Sequence, residues 1–372
     1  MNIVILGSGR EEKLWAEAIL ARTSDRLAGA FPGFEEMPDL SGKKDLDDAL
    51  TLAGIDAVLV GGDFELRAEG LRRAAAMGLP ALVLHPPGEN ADPYYIVSMS
   101  KRETGAIVVP CLPARLHPGI RRLDEACRSN EIGAFRELRL EKVENEEGLV
   151  DRAFPRAVDL IRALLGEIET VTATGDPPGE KPTESLQVQL RGPNARRAEI
   201  RLRKGNPEPT RLILQGSDGS LTLEFEPHRC AEATLIRKIG ERIETDQLAE
   251  WNPFAAMFDV FQEICAGKSD EIQPNLEDGT RSMEIAEGVC KSLKKGRTID
   301  LHYEPISELN TFKSIMTSSG CLVLFLTLLI LPIALSGPSM GQKWTIYLAY
   351  AIPPILVGYV LLQILRLAVK SS

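Results

Sequence analysis

The last sixty residues restrict this chain more than any other stretch. No charged side chain lies between Lys313 and Lys343, and that interval holds the run Cys321-Leu-Val-Leu-Phe-Leu-Thr-Leu-Leu-Ile-Leu-Pro-Ile-Ala-Leu335. A second uncharged stretch runs from Trp344 to Leu365. A helix needs roughly 20 apolar residues to cross a hydrocarbon layer. Two transmembrane spans are therefore expected, at 316–336 and 344–365, within a hairpin covering 313–372. Ser336-Gly-Pro-Ser-Met-Gly-Gln-Lys343 supplies the tight reversal between them. Trp344 and Tyr347 follow it, where amphipathic rings favour the headgroup level. Lys313, Arg366 and Lys370 flank the hairpin, against Lys343 alone in its loop. By the positive-inside rule both ends face the cytoplasm. The chain reads as an integral membrane protein with a cytoplasmic domain.

That domain is acidic. The chain carries 43 Lys+Arg and 53 Asp+Glu, for a net charge of −10. Its final sixty residues hold four of the cations and none of the acids, so residues 1–312 carry 39 − 53 = −14. An acidic body argues against nucleic acid as a partner. The six cysteines form no CxxC pair, which fits a reducing compartment and no zinc pattern. His228-Arg-Cys230 offers two metal ligands, too few for a site, so no metal is expected.

Residues 1–112 read as a doubly wound parallel α/β domain. Asn2-Ile-Val-Ile-Leu6 is a buried strand that runs into Gly7-Ser-Gly9. A helix follows over Glu11–Ala21, with Leu14, Ala18 and Ala21 on one face. Leu27–Phe31, Ile55–Val60 and Ala81–Leu84 read as further strands, separated by a helix start at Asp45–Leu50 and a helix over Glu65–Met77. Glycines after the first strand let a backbone approach a pyrophosphate seated on the next helix's positive end. Gly7, Gly9 and Arg10 are thus the candidate cofactor-binding residues, for NAD or NADP. The fingerprint is incomplete, since Glu12 stands where a third glycine belongs and Phe31-Pro32-Gly33-Phe34 where a ribose-binding acid belongs. The residues leave two readings open: a dinucleotide site, or a fold that has lost its ligand.

Residues 113–312 read as an α+β domain. Helices are expected over Ile120–Arg128 and Phe154–Leu165, with strands at Phe135–Leu140, 171–173, Leu186–Leu190, Ala198–Arg203, Arg211–Leu214 and Leu221–Phe225. Alternation over consecutive strands means a largely antiparallel open sheet with one wet face. Two closing helices are expected over Gln247–Ala266 and Leu276–Lys295.

The order and spacing of several stretches carry a resemblance: Ile55-Asp-Ala-Val-Leu-Val60, Ala114-Arg-Leu-His-Pro118, Asn130-Glu-Ile-Gly-Ala134, Asp159–Gly166, Gln215–Leu221 and Glu277–Glu287. Over residues 1–302 the chain resembles the Gfo/Idh/MocA family, the glucose–fructose oxidoreductase and inositol dehydrogenase relatives. The resemblance implies an NAD(P)-binding domain, and a sheet domain that lines a pocket for a sugar-like substrate and whose open face commonly mediates self-association. It also implies a catalytic lysine after the fifth strand, where Pro86 stands here, and a catalytic histidine where Arg156 stands. A proline can neither donate a proton nor bind an oxygen, and a guanidinium stays protonated. The implied aspartate position falls on Arg152.

His85 is then the remaining acid/base candidate in the expected place, at a strand's C-terminal end. The alternative is a turn histidine before two prolines. Arg115 and His117, in a loop the resemblance points at the cleft, are ligand candidates or turn residues. Arg152 and Arg156 sit one helical turn apart and suit an anionic ligand, or are solvated or salt-bridged. Two functions follow: a membrane-anchored NAD(P)-type oxidoreductase with weak or altered catalysis on a carbohydrate-like alcohol, or a non-catalytic sensor or scaffold whose cleft holds an anionic ligand or a protein partner. A homodimer is the default assembly.

Overall fold

The computed structural model describes residues 1–34, 42, 45–145, 148–267 and 273–302. The chain divides into a compact unit, Met1–Tyr303, and a second unit, Glu304–Ser372. The expected membrane hairpin lies outside the described residues. Among the described residues no helix is long and apolar enough to cross a membrane.

The first sheet contains β1 (Asn2–Leu6), β2 (Arg26–Phe31), β3 (Ala57–Val60), β4 (Ala81–Leu84) and β5 (Val108–Cys111), in the order β2-β1-β3-β4-β5. All pairs are parallel. β3, β4 and β5 are buried at every residue, which is why they read as unbroken apolar runs rather than alternating ones. The connecting helices are α1 (Arg10–Leu20), α2 (Leu46–Leu50), α3 (Phe64–Ala76) and α4 (Asp92–Thr104). The pair α4 and β5 is additional to the elements expected from sequence. α1 turns Trp15, Ala16 and Ile19 inward. This corrects the expected face: Leu14 and Ala18 lie at its edge and Ala21 is exposed. The burial of one tryptophan outweighs the alanines.

The second sheet has nine strands: β6 (Phe135–Glu144), β7 (Thr170–Asp176), β8 (Ser185–Arg191), β9 (Arg197–Lys204), β10 (Thr210–Gly216), β11 (Gly219–Phe225), β12 (Ala231–Ile239), β13 (Arg242–Trp251) and β14 (Ile299–Asp300). Its order is β13-β12-β11-β10-β6-β9-β8-β7-β14, with β6–β9 the one parallel pair. The inner face packs against α5 (Pro118–Arg128), α6 (Phe154–Leu165) and α8 (Leu276–Lys295). The outer face is wet: Arg139 bridges Glu137 and Glu199 at 3.0 Å each, and Arg201 pairs with Glu199 at 3.0 Å.

One helix is shorter than expected. Residues 247–251 belong to the strand β13, and α7 (Pro253–Cys265) begins only after Asn252, whose side chain caps it. Nor does α7 close the second sheet. Its Phe254, Met257, Phe258 and Phe261 pack on the first sheet with Trp15 and Ile19. α8 contributes to both cores, Met283 to the first and Ile285, Ala286 and Val289 to the second.

Candidate functional site

A cleft of about 190 Å³ lies where the C-terminal ends of the first sheet face the second sheet. Arg10, Phe64, Pro86 and Pro113 line it from the first side; Lys142, Thr210 and His228 from the second; Arg152 and Arg156 from the start of α6.

On the first side the polar groups are committed. Gly7 has φ +98° and donates its N–H to the Phe31 carbonyl at 2.7 Å. A Cβ there would come within 2.8 Å of Gly62 Cα, so only glycine fits this crossing of two loops. Gly9 caps α1 with no side-chain bond. Glu12 is buried and accepts the Gly62 N–H at 2.7 Å. Arg67 is buried too. Its guanidinium donates to the carbonyls of Gly62 (2.9 Å), Leu84 (3.2 Å) and Pro86 (2.7 Å), and stands 3.9 Å from Glu12. It therefore ties the ends of β3 and β4 together.

His85 does not line the cleft. Its ring is fully buried, with Nδ1 3.0 Å from the Tyr94 hydroxyl. Burial, then the charges of Arg156 and Arg67, hold its imidazole well below the usual range, so it is neutral. The residue this stretch gives to the cleft is Pro86. Arg115 also turns away. It grips Asp159 through two bonds, at 2.9 and 2.6 Å, and reaches Asp278 at 3.1 Å. Arg162 joins the same cluster, 3.4 Å from Asp278. His117 is the cap of α5, accepting the Gly119 N–H at 3.0 Å between the rings of Phe225 and Trp251. Burial lowers its pKa to about 4.

Arg152 and Arg156 do come together in the cleft. Arg152, in a π-helical turn over Leu149–Ala153, stacks its guanidinium 4.4 Å above the Phe64 ring. Arg156 donates to the His85 carbonyl at 2.6 Å and to Glu11 at 2.8 Å.

The second sheet adds two groups that sequence did not single out for this role. Lys142, on β6, pairs with Glu144 at 2.5 Å. His228, just past β11, makes no hydrogen bond among the described residues. Burial, then Lys142 and Arg156, lower its pKa well below the usual value. It is a neutral imidazole in the cleft, the protonation state a base requires. Its sequence context, a proline before it and an exposed arginine after it, carries no signal that the end of β11 faces the first sheet.

No protein-family model matches the sequence, and no curated protein matches it. Solved structures do share the fold. An aldose–aldose oxidoreductase from Caulobacter crescentus, complexed with glycerol, superposes with a TM-score of 0.69 at 17% identity, covering 81% of this chain and 99% of that one. A myo-inositol dehydrogenase from Corynebacterium glutamicum gives 0.65 at 21% identity, covering 82% and 99%. An oxidoreductase from Agrobacterium radiobacter, in complex with NAD+, L-tartaric acid and magnesium, gives 0.67 at 13%, covering 83% and 99%. The described unit has the fold of Gfo/Idh/MocA-type oxidoreductases.

Proposed function

We propose that this chain is a membrane-held oxidoreductase of the Gfo/Idh/MocA, NAD(P)-binding type, with weak hydride transfer on a small carbohydrate-like alcohol that bears an acid group. The observation that carries this reading is the uncommitted neutral His228 in a cleft that reaches Arg10 and Glu11 at the start of α1. Gly7, Gly9 and Arg10, at a helix start with no side-chain cap, are the residues that would meet a dinucleotide's phosphates. Phe31-Pro32-Gly33-Phe34 stands at the end of β2 where a ribose-binding acid would be expected, which fits weak binding. The nicotinamide, when bound, would take up a hydride from the alcohol carbon. The chain must then accept the hydroxyl proton. Pro86 cannot, Arg156 is a protonated guanidinium, and the His85 ring is turned to Tyr94. His228 is the imidazole left to take it. Arg152 and Lys142 supply charge for an acid group, in keeping with the tartrate bound to the Agrobacterium neighbour.

The test is reduction of NAD+ and NADP+ by a panel of polyols and hydroxy acids, using the full chain in detergent. Slow turnover that falls about 10²-fold or more in His228→Gln is expected. No reduction with any of them would contradict the reading.

Charge favours a second function, a non-catalytic sensor or scaffold for an anionic ligand or a protein partner. Six cations, among them Arg10, Arg152, Arg229 and Lys142, meet four acids in the cleft lining, although the chain as a whole carries −10. Saturable tartrate binding with no turnover would favour it.

Membrane anchoring belongs to the proposal and rests on the two uncharged stretches after Lys313. The full chain should sediment with membranes, and a chain ending at residue 303 should not. Recovery of both in the soluble fraction would contradict it. Self-association through the open face of the nine-stranded sheet completes the reading.

A further inference from the structure

Glu12 occupies a peculiar place for an acid. The residue is 4% exposed, with its carboxylate wedged between Gly9 and Gly61. Oε2 lies 2.6 Å from where a Cβ of Gly9 would stand, and Oε1 lies still closer to the corresponding point on Gly61. In a glycine turn of this kind, the second glycine is bare so that a pyrophosphate can approach the backbone. Here that space holds an oxygen of the chain's own side chain. The carboxylate also accepts the Gly62 N–H at 2.7 Å and stands 3.9 Å from Arg67, so an amide and a cation at the rim of the turn are already engaged.

We propose that Glu12 is a built-in anion in the phosphate seat, and that it sets how weakly the chain holds a dinucleotide. This rests on the NAD(P)-binding reading above. A phosphate entering the turn meets a buried negative charge, in surroundings where like charges repel strongly. To admit it, Glu12 must leave Gly62 and Arg67. That step subtracts from affinity, while the cleft beyond, bordered by Arg152 and His228, stays free for the smaller ligand.

A purely structural Glu12, favouring the helix dipole from its third position, would have no such effect. The experiment separates the two. NADH and NADPH are titrated into the full chain in detergent, as wild type, Glu12→Gly and Glu12→Gln, with binding read by the rise in nicotinamide fluorescence and by calorimetry. Melting curves first establish that each variant is folded. Glutamine removes the charge and keeps the shape, so it serves if the glycine variant does not fold. The expected result is roughly tenfold or more tighter binding in Glu12→Gly than in wild type, with Glu12→Gln in between. Equal binding by all three would overturn the role of Glu12 and leave the NAD(P) reading standing. No binding by any of the three would overturn both.

Discussion

The two walls of the cleft differ in what their polar groups are free to do. On the first sheet's side, Arg67, Glu12 and His85 are buried: Arg67 and Glu12 bond backbone groups and His85 Nδ1 meets Tyr94, while His85 Nε2 and Arg67 Nε have no partner among the described residues. On the second sheet's side, His228 is unbonded among the described residues, and Arg152 at the rim rests on an aromatic face. The contrast teaches that buried polar groups tied to the backbone hold a scaffold, while groups that line the cleft without a partner are the ones left for ligands.

If the committed groups are scaffold, removing one should cost stability rather than binding. Arg115→Ala leaves Asp159 and Asp278 with Arg162 as their remaining partner, 4.0 and 3.4 Å away. A loss of about 3–5 kcal/mol is expected in denaturant unfolding of the detergent-solubilised chain. A loss under about 1 kcal/mol would place Arg115 among the free groups.

The next effect is a pH dependence. The His117 pKa falls from 6.5 to about 4 on folding, because burial disfavours the imidazolium. The unfolded chain therefore binds the extra proton first as pH drops. His117's contribution is complete above about pH 6.5 and is lost as pH falls toward 4, an amount on the order of 3 kcal/mol. His85, lowered in the same direction, steepens this slope. His117→Asn keeps a capping side chain and removes the titration. Melting temperature against pH should then be flatter between 6.5 and 4. An unchanged slope would contradict the assignment.

Smaller still is the effect at the open wall. Arg152→Ala gives up one cation–π contact, so stability should change by about 1 kcal/mol or less. Its tartrate affinity should nevertheless fall several-fold by calorimetry. A stable variant with unchanged affinity would remove Arg152 from the ligand site. Sedimentation velocity checks assembly: a homodimer is expected, and a monomer at micromolar concentration would contradict it.

Much of the scaffold was legible in the sequence. Ala81–Leu84, Phe154–Leu165 and Leu276–Lys295 fall where their apolar patterns and caps put them. The β12–β13 hairpin was not, because its strands are half-exposed and rich in Glu, Arg and Lys, with little alternation to read. The glycine turn was readable. The identity of the cleft's imidazole was not. Which way the His85 ring points depends on Tyr94, nine residues along and on a helix that carries no strong signal. His228 enters the cleft only because β11 ends beside β10, which pairs in turn with β6 some 70–80 residues back in the sequence.

The contrast between the walls can be measured without knowing the substrate. Diethyl pyrocarbonate acylates neutral, accessible imidazoles, and this chain has four histidines: His85, His117, His228 and His302. Brief treatment of the folded full chain near pH 7, followed by peptide mass spectrometry, reports each one separately. Rapid modification of His228, with the exposed His302 as internal reference and with His85 and His117 protected, is the expected result. Modification of His85 at a rate equal to that of His228, or protection of His228, would contradict a cleft whose proton-carrying group sits on the second sheet.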